Sequence, residues 1–250
     1  MSVRSLPDND LKRSNALDGL HKKWSITAPD ARLFTQEEYD ILVPLRGQWK
    51  AAMAAVGAAK SIASTLTDIA KQEGDILEMF LSHFIQVFNL GVVRGKYSPQ
   101  DRGFYQLDLG NAELPSMRSY ADRVTWAQNL ITGEAARQTA ATTAGTVFKP
   151  MANPDIAEVA AALAAYEAAH DAASPKKDAY DAAQKVVEGL RPPVDALIAS
   201  AWDSIEFNLR HETPPSLRRK AREYGVVYVP RPGEPPDPEP EPGPEPPATT

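Results

Sequence analysis

Cysteine is absent from all 250 residues, which excludes a disulfide framework, a thiolate metal site and a cysteine nucleophile. That suits a reducing compartment. Histidine is nearly as scarce, with four in the chain, and no serine stands in a Gly-x-Ser-x-Gly turn, so there is little material for a nucleophile–base pair. The opening MSVRSLPDNDLKRSN has no apolar core of the kind a signal peptide carries, and the expected location is cytoplasmic. An excess of basic charge is lacking as well. Lys and Arg number 27 against 33 Asp and Glu, a net charge of -6, which disfavours nucleic acid as a partner of the whole chain.

What is present is enough apolar residue, 43% of the total, to bury a core in one large domain or two small ones. The richest stretch is Ile76–Val93, ILEMFLSHFIQVFNLGVV. At about 100° per residue its polar members Asp75, Glu78, Ser82, Gln86 and Asn89 fall within an arc of roughly 80°. One narrow polar stripe on an otherwise apolar helix describes the centre of a bundle, covered on most of its circumference.

Around it the helix signals are plain. Thr35-Gln36-Glu37-Glu38 reads as a capping box, with Phe34 and Tyr39 at the positions of a hydrophobic staple. Leu45, Trp49, Met53, Val56, Ala59, Ile62, Leu66 and Ile69 then recur at helical spacing to about Lys71, and Gly74 separates this helix from the central one. The Gly- and Pro-rich segment 91–115 reads as a long connection. A third helix spans about 116–138, followed by a linker to 149. Asn153-Pro154-Asp155 reads as an N-cap with proline at the first helical position. The fourteen-residue recurrence of AYEAAHD as AYDAAQK favours one kinked helix across Ser174-Pro175 over a hairpin turn. Pro192-Pro193 marks a boundary before the last long helix, Val194 to Leu209, and SLRRKAREYG forms a short basic one.

The reading is therefore an all-α, elongated bundle of about five main helices. Residues 1–34 are expected to be an arm that packs through Trp24, and 35–225 the bundle. Residues 226–250 are expected to be an extended, disordered, acidic Pro-rich tail, with any strand confined to Val226–Val229.

Candidate sites are few. GVVRGKY has three residues between Gly91 and Gly95 where a phosphate loop needs four, and Tyr97 follows its lysine. Arg94, Lys96 and Arg102 beside Tyr97, Phe104 and Tyr105 have the composition of a base-stacking surface, though such a mix is more often a solvated loop pinned by its aromatics. Glu167-x-x-His170 has the spacing of one half of a di-iron site, but such a site needs a second pair and two further glutamates, and the other histidines offer only Glu78-x4-His83 and Glu206-x4-His211. A histidine beside Asp171 is the plainer reading. Glu78 on the polar stripe belongs to a solvated or interhelical seam rather than to a tuned acid. Arg218, Arg219, Lys220 and Arg222 form a compact basic cluster fit for a partner or an anion, or for carboxylates of the chain itself.

The stretches LRRKAREYGVVYVPRPGE and FNLGVVRGKY with FYQLD resemble segments of uncharacterised bacterial helical proteins with Pro-rich C-terminal ends. That resemblance covers about four-fifths of the chain and implies no activity, cofactor or residue role. The function expected is non-enzymatic, without catalytic residue, cofactor or metal. It is a structural or interaction protein that binds itself, as a homo-oligomer with coiled-coil-like contacts, or another protein through helical faces. A membrane-active, pore-forming-like bundle is the first alternative and a metal-binding bundle the second.

Overall fold

The computed structural model describes residues 3–231 and Gly233. Of the extended tail expected over 226–250, Val226 is buried and Tyr228–Val229 form a strand, and most of the acidic Pro-rich remainder lies outside the described residues. The chain is mostly helical, as the periodicity requires. Its α-helices are α1 (Asp10–Ile26), α2 (Gln36–Val93), α3 (Tyr120–Thr143), α4 (Ile156–Asn208) and α5 (Pro214–Arg222), with 3-10 turns at Pro29–Ala31 and Pro99–Tyr105. A two-stranded antiparallel sheet pairs β1 (Val3–Arg4) with β2 (Tyr228–Val229), Val3 opposite Val229. The strand expected near Val226–Val229 thus has a partner at the other end of the sequence.

Two compact units arise, one from Met1–Gly57 with Ala182–Thr250 and the other from Ala58–Asp181. In the first, Leu17, Leu20 and Trp24 of α1 meet Leu42 and Trp49 of α2 and Ile198, Trp202 and Ile205 of α4. The N-terminal segment is therefore more than an arm. Asn9 caps α1 by accepting the Lys12 N–H at 2.9 Å, and Ala16, Leu17, Leu20 and Trp24 form its buried face.

The capping box of α2 is formed as read. The Thr35 N–H donates to Glu38 Oε2 at 2.8 Å and the Glu38 N–H to Thr35 Oγ1 at 3.1 Å. Phe34 and Tyr39 do not merely staple each other, because both pack on Trp24, with ring centroids 4.7 and 4.5 Å away. Glu38 Oε1 accepts further bonds from Ser200 and Ser204, so one carboxylate caps α2 and holds α4.

Helix α1 is also tied to α4 by two reciprocal forks. Arg191 donates twice to Asp10 at 2.9 Å, and Arg13 twice to Asp195 at 2.8 Å. Such bidentate pairs fix orientation as well as charge.

In the second unit Leu77, Leu81, Phe84, Ile85 and Phe88 of α2 pack against Ala127 and Leu130 of α3 and Val159, Leu163 and Tyr166 of α4. The central stretch is thus buried along one stripe, not around most of its circumference. Phe84 and Phe88 are fully buried and Phe80 partly, whereas Met79, Leu90 and Val93 are exposed.

Several expected boundaries are absent. Helix α2 passes through Gly74 because that glycine serves packing. A Cβ there would lie 2.7 Å from Arg123 Nη1 and 2.8 Å from Tyr166 Cε2. Helix α4 continues across Pro175, as the fourteen-residue recurrence favours, and runs on through Pro192-Pro193, where a boundary is expected. Each proline removes a donor and leaves the carbonyl four residues back without a partner. Those carbonyls belong to Asp171, Glu188 and Gly189, all exposed to water. At the start of α4, Asn153 sits at φ 58, with a cis peptide to Pro154. The cap is instead Asp155, whose carboxylate accepts the Glu158 N–H at 2.9 Å while its own N–H donates to Glu158. Helix α3 starts later than expected, at the Ser119–Asp122 capping box, and continues into the supposed linker.

Two expected outcomes follow from these placements. Gly57, with nothing near its missing Cβ, should gain about 0.5–1 kcal/mol on Gly57→Ala, the usual helix-interior difference. Gly74→Ala should gain nothing or lose stability, as denaturant titration of both variants will show. The Asp10 carboxyl is held below its ordinary pKa, chiefly by the hydrogen bond from Arg191. Its stabilising contribution is therefore complete above the unfolded carboxylate pKa of about 4 and is lost as pH falls through the lower folded value. Asp10→Asn should lower stability at pH 7 and flatten its decline below about pH 4, measured by the same titration across pH.

Candidate functional site

The densest buried chemistry lies where the 3-10 turn Pro99–Tyr105 meets α3. Glycine at position 133 allows the meeting, since a Cβ there would stand 2.5 Å from the Phe104 carbonyl oxygen and 2.7 Å from Tyr105 Cδ1. The turn's backbone therefore seats directly on the helix and carries the Tyr105 ring inside, edge-on to Phe84 and Phe88. Glu134, the next residue, and Arg137, a helical turn on, share a face of α3 at i,i+3 spacing.

The resulting network is closed. The Tyr105 hydroxyl donates to Glu134 Oε2. Arg137 Nε donates to the Tyr105 hydroxyl at 2.9 Å and to Glu134 Oε2 at 3.1 Å. Arg137 Nη2 reaches Glu134 Oε1 at 3.0 Å and the Lys149 carbonyl at 2.8 Å. The Met151 N–H completes it with a 2.9 Å bond to Glu134 Oε1. Glu134 and Arg137 are 5% and 6% exposed, and a pair so deep is tolerable only because nearly every lone pair and proton is used. The guanidinium also lies between the rings of Tyr97 and Phe148, 4.9 and 4.8 Å from their centroids.

Burial, and then the bond to Glu134, push the Tyr105 hydroxyl far above the ordinary tyrosine range. At neutral pH it is a fixed donor, not an acid or nucleophile. Beside this network opens a cleft of about 340 Å³ lined by Lys96, Tyr97, Asp101, Phe104, Arg137, Phe148 and Lys149 among others.

The structure distributes the residues singled out in the sequence as follows. Of the suggested stacking set, Tyr97 and Tyr105 are buried, Tyr97 stacked on Phe88. Arg102 is buried too and holds the loop, bonding Asn89 and the carbonyls of Asp108 and Asn111. No exposed aromatic platform results, and the pinned loop is what forms. Glu78 pairs with Arg123 at 2.5 Å on the polar stripe, and Ser82 returns its proton to the Met79 carbonyl. His170 lies within α4, stacked 3.9 Å from the Tyr120 ring, its Nδ1 3.8 Å from the Asp171 carboxylate. Among the described residues no group of three or more His, Asp or Glu side chains is placed to hold a metal.

The basic cluster lies on α5. Lys220 pairs with Glu212, Arg219 Nη2 donates to Ser216 Oγ at 3.4 Å, and Arg222 stands 5.7 Å from the Tyr228 ring. Arg218 also has a partner.

Sequence reasoning missed the Tyr105–Glu134–Arg137 network. Glu134-x-x-Arg137 was a visible helical pair, but nothing local ties it to a tyrosine 29 residues earlier. No protein-family model, curated protein or solved structure matches the chain, and the site is read from its own geometry.

Tyr105→Phe should cost about 1.5–3 kcal/mol at pH 7, the worth of a hydrogen bond to a charged group. Because the folded pKa is raised, the native contribution is complete below the unfolded value of about 10 and is lost as pH rises above it. The variant should therefore lose less stability than the parent between about pH 9 and 11, as measured by urea unfolding.

Proposed function

We propose that the protein is a non-enzymatic interaction protein that self-associates through the outer face of α2, in a reducing, cytoplasmic setting. The observation that carries this reading is a heptad row that the described residues leave largely uncovered, with Ile76 alone partly packed against the core. Ile62, Ile69, Ile76, His83 and Leu90 stand seven residues apart. Ile62, Ile69 and Leu90 are 50%, 42% and 51% exposed. Beside them, Leu66, Glu73, Phe80 and Val87 are half-buried, so the two rows alternate at four- and three-residue steps as the seam of a coiled coil does. The seam runs for about 42 Å at 1.5 Å per residue.

A second copy of the same helix fits this face. The first flanking positions, Ala63, Thr65, Ala70 and Gln72, carry no charge, while Lys60, Asp68 and Lys71 point elsewhere around the helix. No like-charge contact between these flanking positions therefore opposes pairing, and within the seam itself Glu73 is the one acidic side chain. Apolar surface of this extent on a soluble chain marks an interaction site.

A membrane surface is the second reading, because α2, alone among the described helices, is long and apolar enough to cross a bilayer, with only 33% of its apolar window buried. Solution mass decides between them. The native chain should be a dimer or larger at micromolar concentration, and Ile69→Glu with Leu90→Glu should return it to a monomer with unchanged helicity. A native monomer at every concentration defeats the proposal. A native monomer that binds liposomes, and loses that binding in the double variant, favours the membrane reading.

A further inference from the structure

We infer that the cleft beside Arg137 is a binding site for a small organic oxyanion on a flat apolar body, an aromatic carboxylate or phosphate monoester. This site is separate from the heptad row and does not depend on it.

The buried network leaves one part of Arg137 over. Its Nε and Nη2 are fully engaged by Tyr105, Glu134 and the Lys149 carbonyl. Its Nη1 donates no hydrogen bond to any described residue, and the nearest carboxylate oxygen, Asp101 Oδ2, is 3.9 Å away. Arg137 lines the cleft, as does Asp101. A guanidinium held rigid on two nitrogens and flanked by two rings offers its third as a pre-organised donor, the arrangement that recognises carboxylate and phosphate.

Charge and shape around it agree. Glu134 spends its charge behind the guanidinium, in the buried network. Lys96 and Lys149 stand at the cleft, exposed to water, and Asp101 is the opposing carboxylate. Two cations and an unspent guanidinium edge against one carboxylate favour an anion. The walls are Tyr97, Phe104 and Phe148, suited to a planar body, and about 340 Å³ is at the small end of ligand-binding clefts.

The far wall is held in place by the end of α3. Gly145 at φ 66 turns the chain, and the Thr146 N–H closes on the Ala141 carbonyl at 2.9 Å. The site is thus built from the loop that the sequence marked as a cation–aromatic mix, together with a segment it gave no reason to connect.

The test uses the full chain and four probes, benzoate, phenyl phosphate, acetate and inorganic phosphate, titrated by calorimetry or NMR at constant ionic strength. Benzoate or phenyl phosphate should saturate with a Kd of about 1 mM or tighter. The matching anion without a ring should bind at least about tenfold more weakly, since ring burial is lost. Whichever ring compound binds more tightly identifies the headgroup. Asp101→Asn, which removes the competing carboxylate, should tighten binding by about threefold or more, and Lys149→Ala should weaken it by a similar factor. Lys60→Ala, outside the cleft, should leave it unchanged. None of these three side chains belongs to the buried network, so the variants should keep native helicity. Failure of both ring compounds to saturate overturns the proposal. So does unchanged affinity in Asp101→Asn, or a loss in Lys60→Ala equal to that in Lys149→Ala, because binding would then lie elsewhere on the surface.

Discussion

The continuity of α2 and α4 is the constraint on which the rest of the structure depends. Residues that commonly end a helix stand inside both, Pro44 and Gly74 in α2, Pro175 and Pro192-Pro193 in α4. A proline costs about 3 kcal/mol or more inside a helix, so the gain that keeps the rod intact must come from tertiary burial. It comes from fully buried side chains close by. Leu42 and Trp49 flank Pro44, while Val194, Ile198 and Trp202 follow the paired prolines. The carbonyls that the prolines orphan in α4 belong to exposed residues, within reach of water as a substitute partner. Where a helix is held this way at its buried stretches, its outer face is free to carry residues chosen for something other than the fold.

The two units solve the problem of polar groups differently. The first uses paired forks at its rim, Arg191 on Asp10 and Arg13 on Asp195, partly open to water. The second places one full ion pair inside and completes it with a tyrosine, a backbone carbonyl and a backbone amide. Removing Glu134 or Arg137 would strand a buried charge, which costs more than the pair itself contributes, and removing the tyrosine would leave a buried carboxylate lone pair unmet. That cost explains why Gly133 must stay small. Any side chain there would push the turn off α3 and withdraw Tyr105 from the network.

How much of this was legible follows the range of each signal. The α2 cap could be read because Thr35 and Glu38 are three residues apart and satisfy each other. The Ser119–Asp122 box carries the same kind of local signal. Helix α1 hid because its polar residues outnumber the four that make its face, although Asn9 stood as its cap. Gly74 and Pro192-Pro193 misled because their local tendency is to break a helix, and only Tyr166, Arg123 or a distant core shows why they do not. The candidate site was legible only as ingredients. Lys96, Tyr97 and Phe104 were marked, but Glu134, Arg137 and Phe148 join them through a chain reversal that no spacing announces.

The pairing of Val3 with Val229 has a consequence for the order of synthesis. The second unit is one uninterrupted segment, Ala58–Asp181, whereas the first needs both ends of the chain. A ribosome working from the N-terminus therefore releases every residue of the second unit while α1 and the start of α2 still lack the Trp202 side of their core. Until then Leu17, Leu20 and Trp49 have no complete place to go, and the nascent chain carries them as exposed apolar surface. The interval is when a chaperone would be of most use to this protein.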